Sequence, residues 1–304
     1  MSYLELAKQG KNQWWRYLLG FFLILLAWQG IGLMPTFALA YWVEVDQDET
    51  TRFNPDSWLF EGLSATLTFV DIMAMFLFLM AGIWLVVRFL HKRPFLSLIT
   101  PLRRISWLRV AQGAAVFAAI YLTVGVVGEW LRPTPAGEME YVFNPEKFLV
   151  FLPVALLLIP IQTSAEELLF RGYVMQGLGL VMHKWGAVLV SALMFALPHL
   201  LNPEVYGANM WIAFLPYLST GLLLALITVR DGTLELAIGV HAINNIIAFL
   251  YVTVPPYDIF PSVFVYHGEL FTWETVISEV LTAVLFYWVI FRFFARPPLE
   301  ETKP

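Results

Sequence analysis

Residues 147–171 read Lys147-Phe148-Leu149-Val150-Phe151-Leu152-Pro153-Val154-Ala155-Leu156-Leu157-Leu158-Ile159-Pro160-Ile161-Gln162-Thr163-Ser164-Ala165-Glu166-Glu167-Leu168-Leu169-Phe170-Arg171. The run is apolar for about the ~20 residues a helix needs to cross the hydrocarbon core. It then meets two adjacent acids and an arginine. Ionisable groups inside a spanning segment cost about 2.5–3.5 kcal/mol each on insertion scales. A chain that carries them in such a place is using them.

Comparable apolar runs extend on both sides. We read eight spans, at roughly 17–42, 63–88, 108–128, 147–167, 185–201, 211–229, 234–254 and 273–294. The fifth is the shortest and carries Pro198. The runs are long and continuous, which excludes the short alternating segments of a β-barrel. The fold class is therefore all-α, a polytopic membrane bundle of about eight transmembrane helices. Composition agrees: the 304 residues are 59% hydrophobic and 13% charged, against about 45–50% and about 25% in soluble domains. Trp14, Trp15, Trp42, Trp130, Trp185, Trp211 and Trp273 sit near span ends, as interfacial anchors do.

Charge alternates between the loops. Lys8, Lys11 and Arg16 precede the first span, and Arg88, Lys92, Arg93, Arg103, Arg104 and Arg109 follow the second. Between them, and again after the third span, acids dominate: Glu44, Asp46, Asp48, Glu49 and Asp56, then Glu129, Glu138, Glu140 and Glu146. Excess positive charge marks cytoplasmic loops. We therefore expect both termini in the cytoplasm of a multi-pass cell-membrane protein, and eight spans satisfy that parity. The stretch from Phe95 to Val110 mixes Leu, Ile and Trp107 with arginines and reads as an interfacial cytoplasmic helix, or as an ordinary basic loop. The first apolar run is far longer than the 7–15 residues of a signal-peptide core, so it is expected to stay in the protein. The tail after Arg296 is expected to be disordered. With no cysteine in the chain, disulfides, thiolate metal sites and a cysteine nucleophile are excluded. No basic tract is long enough to suggest nucleic acid.

On a helix, Glu167 and Arg171 are four apart and share a face, so they can pair. Glu166 is turned about 100° away and is free to face a cavity. The bland reading is a charged cluster at the cytoplasmic border. Two histidines also fall in apolar spans, His199 after Pro198 and His241 in the seventh span, with Asn245 four residues further on the same face. Asn244 is an alternative partner. The bland reading of each is a polar core residue bonded to a neighbouring helix. His91, His183 and His267 lie in basic or polar loops. Amide hydrolysis needs a base for water and donors for the oxyanion. Glu166 with His199 can supply the first, and His241 with Asn245 the second.

At these residues the chain resembles the type II CAAX prenyl endopeptidases, the CPBP or Abi family of intramembrane proteases related to the eukaryotic Ras-converting enzyme. Glu166-Glu167-x-x-x-Arg171, Phe195-x-x-x-His199 and His241-x-x-x-Asn245 correspond in order to the family's three motifs. The resemblance covers about residues 147–250. It implies an eight-helix bundle around a cavity open to the cytosolic side. There Glu166 and His199 activate water, His241 and Asn245 form the oxyanion hole, and Glu167 and Arg171 support them. The chain then divides into N-terminal transmembrane helices with an interfacial loop (1–146), a catalytic core (147–254), and a last helix with a cytoplasmic tail (255–304). Expected partners are membrane lipid and a membrane-associated peptide or protein substrate, lipidated in the eukaryotic case. Bacterial-type members act on other or unknown substrates, and some are linked to bacteriocin self-immunity. Two other classes stay open: a non-enzymatic immunity or scaffold protein of this fold, and a proton-coupled transporter.

A zinc ion held by Glu166, His199 and His241 is the other version of the chemistry. His-Glu-x-x-His is absent, and Asn245 suits a donor better than a ligand, so no cofactor is expected. One tension concerns depth. If the fifth span begins at Lys184 in the cytoplasm, His199 lies about 22 Å along it by helical rise, whereas Glu166 and His241 would be much shallower. A later start to the fifth span, a fourth helix running past Arg171, or a break at Pro198 would each resolve it.

Overall fold

In the computed structural model, which describes residues 2–46 and 48–296, the polypeptide is mostly helical. Eight long helices occur among the described residues. They are α1 (Trp14–Val45), α2 (Ala65–Leu90), α3 (Trp107–Leu131), α4 (Pro145–Leu178), α5 (Lys184–His199), α6 (Met210–Asp231), α7 (Glu235–Leu250) and α8 (Trp273–Phe293). Six are long and apolar enough to cross a membrane. The other two, α5 and α7, have 16 residues each and reach only about 24 Å, short of a hydrocarbon core of about 30 Å. Exposed side chains such as Phe22, Val126, Leu149 and Val284 stud the outer faces, as lipid contact requires and water would penalise.

The starts of the helices are written locally. Ser64, Ser106, Asn144, Asn209 and Thr272 each accept a hydrogen bond from a backbone N–H of the following turn, satisfying donors the helix leaves open. Pro145 occupies the first turn of α4, where a missing N–H costs nothing. Gly232 closes α6 at φ +77°, a left-handed conformation that glycine adopts without strain. Short strands collect at one end of the bundle. β1 (Arg52–Asn54) and β2 (Leu59–Glu61) form an antiparallel hairpin. β3 (Met139–Tyr141) pairs antiparallel with β5 (Phe264–Tyr266), which pairs parallel with β4 (Val252–Thr253). The loops of the opposite end carry most of the basic residues.

The stretch from Phe95 to Val110 is not an interfacial helix. It holds one 3-10 turn, Phe95–Leu98, and then irregular chain until α3 begins. Leu98 and Ser97 are buried, and Arg93 and Arg109 at its borders are too. Arg93 donates to Gln176 Oε1 at 2.8 Å. Arg109 donates to Asp231 Oδ1 at 2.6 Å. The amphipathic composition reflects a partly buried segment, in which Ser97 to Thr100 and Arg109 turn inward while Arg103, Arg104, Trp107 and Leu108 stay exposed. The tail beyond Arg296 lies outside the described residues.

The depth tension resolves through α4. This helix does not stop at the acid pair. From Leu168 to Met175 it continues as a wider π-helical stretch, then ends in an α-turn at Leu178. Every residue of the wide stretch is buried. His91 bonds the Tyr173 hydroxyl at 2.9 Å, and Gln176 donates to the Ser97 carbonyl at 3.0 Å. Glu166 therefore lies about 18 Å from the end of α4, comparable with the ~22 Å between Lys184 and His199. α5 runs unbroken through Pro198. α7 starts inside the bundle, with Glu235 and Leu236 fully buried and the Leu234 N–H bonded to the Ile99 carbonyl at 2.8 Å.

Small residues set the helix spacing around the site. α3 and α7 pack so closely that a Cβ on Gly239 would sit 2.0 Å from the Val110 carbonyl oxygen. On α6, a Cβ at Gly221 would meet the Ala192 oxygen at 2.9 Å. Close backbone approach is how helices associate where lipid supplies no hydrophobic drive.

Candidate active site

The acid pair occupies the last turn of α4 before it widens. Both carboxylates are buried: Glu166 is 6% exposed and Glu167 0%. Arg171 Nη1 donates to Glu167 Oε1 at 2.8 Å, the expected one-turn pair. The same arginine donates from Nη2 to the Gly221 carbonyl at 3.0 Å, and its guanidinium lies 4.4 Å from the centre of the Phe195 ring. One cation thus ties α4 to α5 and α6. The pair is not a charged border: neither side chain has any exposure.

His241, projecting from α7, sits between the two acids. Its Nδ1 donates to Glu167 Oε1 at 2.9 Å, and its Nε2 faces Glu166 Oε2 at 3.5 Å. The short contact is a hydrogen bond and the long one is not. Glu166 Oε2 is a buried oxygen with no partner. Glu167 Oε2 and Arg171 Nε of the same cluster are likewise buried without a partner, so the cluster as a whole carries polar capacity that the protein's own side chains leave unmet.

His199 is the last residue of α5. Its Nδ1–H donates to the Phe195 carbonyl at 2.7 Å, which leaves Nε2 as the lone-pair nitrogen of a neutral ring. The Phe195 ring joins the two histidines, with its centre 4.5 Å from that of His199 and 5.6 Å from that of His241. Asn245 lies one turn beyond His241 on α7. Its Nδ2 donates to Gln162 Oε1 at 3.1 Å, and its Oδ1 accepts from Asn244 Nδ2 at 3.2 Å. The six residues singled out in the sequence come from three helices, α4, α5 and α7: Glu166, Glu167, Arg171 and His241 are linked by direct contacts, His199 reaches His241 through the Phe195 ring, and Asn245 reaches α4 through Gln162. Glu166, Glu167, Arg171 and His241 form a buried floor, whereas His199, Asn244 and Asn245 are half-buried at its rim.

Three contributors escaped the sequence reading. Gln162, one turn before Glu166, had a signal: it is a lone amide in an apolar run on the acid's face. Tyr217 packs its ring 4.7 Å from that of His199 and donates its hydroxyl to Glu204 Oε1 at 2.9 Å; an aromatic in a membrane helix carries no such signal. The Gly221 carbonyl contributes through its backbone alone. Among the described residues, no group of three His, Asp or Glu side chains is gathered to hold a metal ion. Both ring nitrogens of His241 face carboxylates, Nδ1 toward Glu167 at 2.9 Å and Nε2 toward Glu166 at 3.5 Å.

The arrangement offers an unmatched buried carboxylate, a histidine held by a second and neutralised carboxylate, another histidine with a free nitrogen, and a side-chain amide. A profile described as type II CAAX prenyl endopeptidase Rce1-like matches residues 145–247, the span from the start of α4 into α7 that carries every one of these residues. The uncharacterized protein YyaK of Bacillus subtilis is 31% identical over 246 residues, covering 81% of this chain and 80% of YyaK. The chain is a multi-pass membrane protein and belongs to the Rce1-like family of type II CAAX prenyl endopeptidases.

Proposed function

We propose that this protein is an intramembrane endopeptidase that hydrolyses a peptide bond with a water activated by Glu166. The observation that carries the reading is the buried, unpartnered Glu166 oxygen facing His241, next to a half-open rim of His199 and Asn245. Glu166 takes a proton from water, assisted by the lone pair on His199 Nε2. The hydroxide adds to the carbonyl carbon. The oxyanion is met by the free N–H of Asn245 Nδ2 and by His241 Nε2 in its protonated form. The proton then passes to the leaving amine as the C–N bond breaks. Glu167, neutralised by Arg171, fixes the tautomer and orientation of His241 through Nδ1, as a carboxylate commonly does for a functional histidine. The chemistry needs no metal. The basic loops at one end of the bundle support a cytoplasmic position for both termini of a cell-membrane protein. The substrate is a membrane-associated peptide or protein, and lipid modification of it follows the family's name.

Cells expressing wild-type protein or Glu166→Ala are compared by membrane proteomics. A precursor should accumulate in the variant and, once purified, should be cut by wild-type protein alone. Cleavage should persist in excess EDTA or 1,10-phenanthroline. Equal processing by Glu166→Ala of normal abundance and stability would refute the reading, and activity lost to chelator and restored by zinc would refute the metal-free form.

A further inference from the structure

A second feature lies away from the acid pair, on the outward face of α6 and α8. The two helices run in the same direction, from the strand-bearing end to the basic end. Between them is a cavity of about 750 Å³. Its walls are Leu215, Leu218, Leu222 and Leu226 of α6 against Val280 and Val284 of α8. From Leu215 to Arg230 the groove follows fifteen residues of α6, about 22 Å by helical rise. That exceeds the ~15 Å of hydrocarbon in one leaflet. Volumes of about 300–1,000 Å³ are typical of ligand sites.

The ends of this groove differ in charge. Arg230 and Arg292 both line it, and both stand at the basic end of their helices. Both are exposed. Each is held by aromatic faces: the Arg230 guanidinium lies 4.8 Å from the Tyr287 ring and 4.3 Å from Phe291, and that of Arg292 lies 5.5 Å from Phe293. Stacking fixes the guanidinium plane and leaves its N–H edges free for bidentate contacts to phosphate. No acidic side chain lines the cavity. A long apolar trough closed by two cations at the membrane-water boundary matches one kind of molecule, with a hydrocarbon chain and a negative head.

We propose that the α6–α8 groove binds an anionic glycerophospholipid, one acyl chain lying along the leucines of α6 and the phosphate held by Arg230 and Arg292. The site is independent of the hydrolytic reading. A zwitterionic lipid fills the trough equally well but brings its own cation to the arginines, so the two guanidinium groups supply the selectivity. Each basic group near a membrane surface contributes about 1 kcal/mol toward an anionic lipid, which is about fivefold in affinity and about 25-fold for the pair.

Full-length protein in neutral detergent is titrated with phosphatidylglycerol, with phosphatidylcholine of the same chains, and with inorganic phosphate, and retained adducts are read by native mass spectrometry. Phosphatidylglycerol should bind about 25-fold more tightly than phosphatidylcholine. Arg230→Gln with Arg292→Gln should abolish that preference. Arg230→Lys with Arg292→Lys should keep most of it, which separates charge from stacking and from folding. Val284→Trp, at a position 60% exposed, fills the trough and should weaken both lipids. Equal binding of the two lipids by wild-type protein would overturn the proposal, as would an undiminished preference in the double glutamine variant. Displacement of phosphatidylglycerol by equimolar phosphate would also overturn it, since the trough would then contribute nothing.

Discussion

Removing Arg171 from the buried cluster should cost far more than an ordinary polar contact between membrane helices. The carboxylate and guanidinium of the Glu167–Arg171 pair have no exposure and meet at 2.8 Å. For charges about 4 Å apart at an effective dielectric of about 20, the attraction is about 4 kcal/mol. Breaking a buried pair by deleting one partner costs about 3–5 kcal/mol, because the other charge is left stranded. The two routes agree. Interhelical hydrogen bonds in membrane proteins average only about 0.6 kcal/mol in double-mutant cycles. The measurement is such a cycle, with Arg171→Met, Glu167→Gln and the double variant unfolded reversibly by SDS in mixed micelles and followed by far-UV circular dichroism. The expected coupling is about 3 kcal/mol. Arg171→Lys should recover only part of it, since a compact ammonium cannot reach both Glu167 and the Gly221 carbonyl as the forked guanidinium does. A coupling below about 1 kcal/mol would place the pair among ordinary helix contacts and would refute the idea that Arg171 holds Glu167, and through it His241, in place.

Other outcomes follow from the same geometry. Asn245→Ala should lower the cleavage rate by about 10²–10³ while leaving substrate capture nearly unchanged, as loss of an oxyanion donor does; a KM effect with unaltered kcat would make Asn245 a binding residue instead. Gly239→Ala drives a methyl into the Val110 carbonyl of α3 and should destabilise the bundle by about 1–3 kcal/mol, the usual cost of overpacking; an unshifted unfolding midpoint would mean that α3 and α7 separate freely. His91, beyond the end of α2, has its pKa pushed down to about 4 by burial, reinforced by the nearby Arg93 and Arg16 charges against an opposing hydrogen bond to Lys11. The folded state therefore resists a proton that the unfolded chain accepts near pH 6.5. Stability is full above about pH 6.5 and declines as pH falls toward 4. Thermal unfolding across that window should show the decline in wild-type protein and a shallower one in His91→Gln; parallel curves would remove His91 as its source.

Particular residues show why some of the site was legible in the sequence. Glu167 and Arg171 were readable because a helix places residues four apart together whatever surrounds them. Glu166, His199 and His241 stood out because ionisable groups are expensive in apolar segments. The interfacial helix expected between Phe95 and Val110 fails for a related reason. A mixture of leucines and arginines describes a surface-lying helix and a partly buried loop equally well, and only Asp231 and Gln176, distant in sequence, distinguish them. Tyr217 and the Gly221 carbonyl were invisible, since neither residue type is unusual in a membrane helix.

The sequence by itself determined the helical bundle, the positions of nearly all helix ends, and which side chains were too costly to be idle, because insertion cost, capping and one-turn spacing are local properties of the chain. Only the tertiary structure decided that α4 runs past the acids as a wide helix, that His241 lies between Glu166 and Glu167, and that Arg171 reaches across to α6. Those outcomes depend on helix depth, rotation and closest approach, which are set by where small residues such as Gly221 and Gly239 let backbones touch.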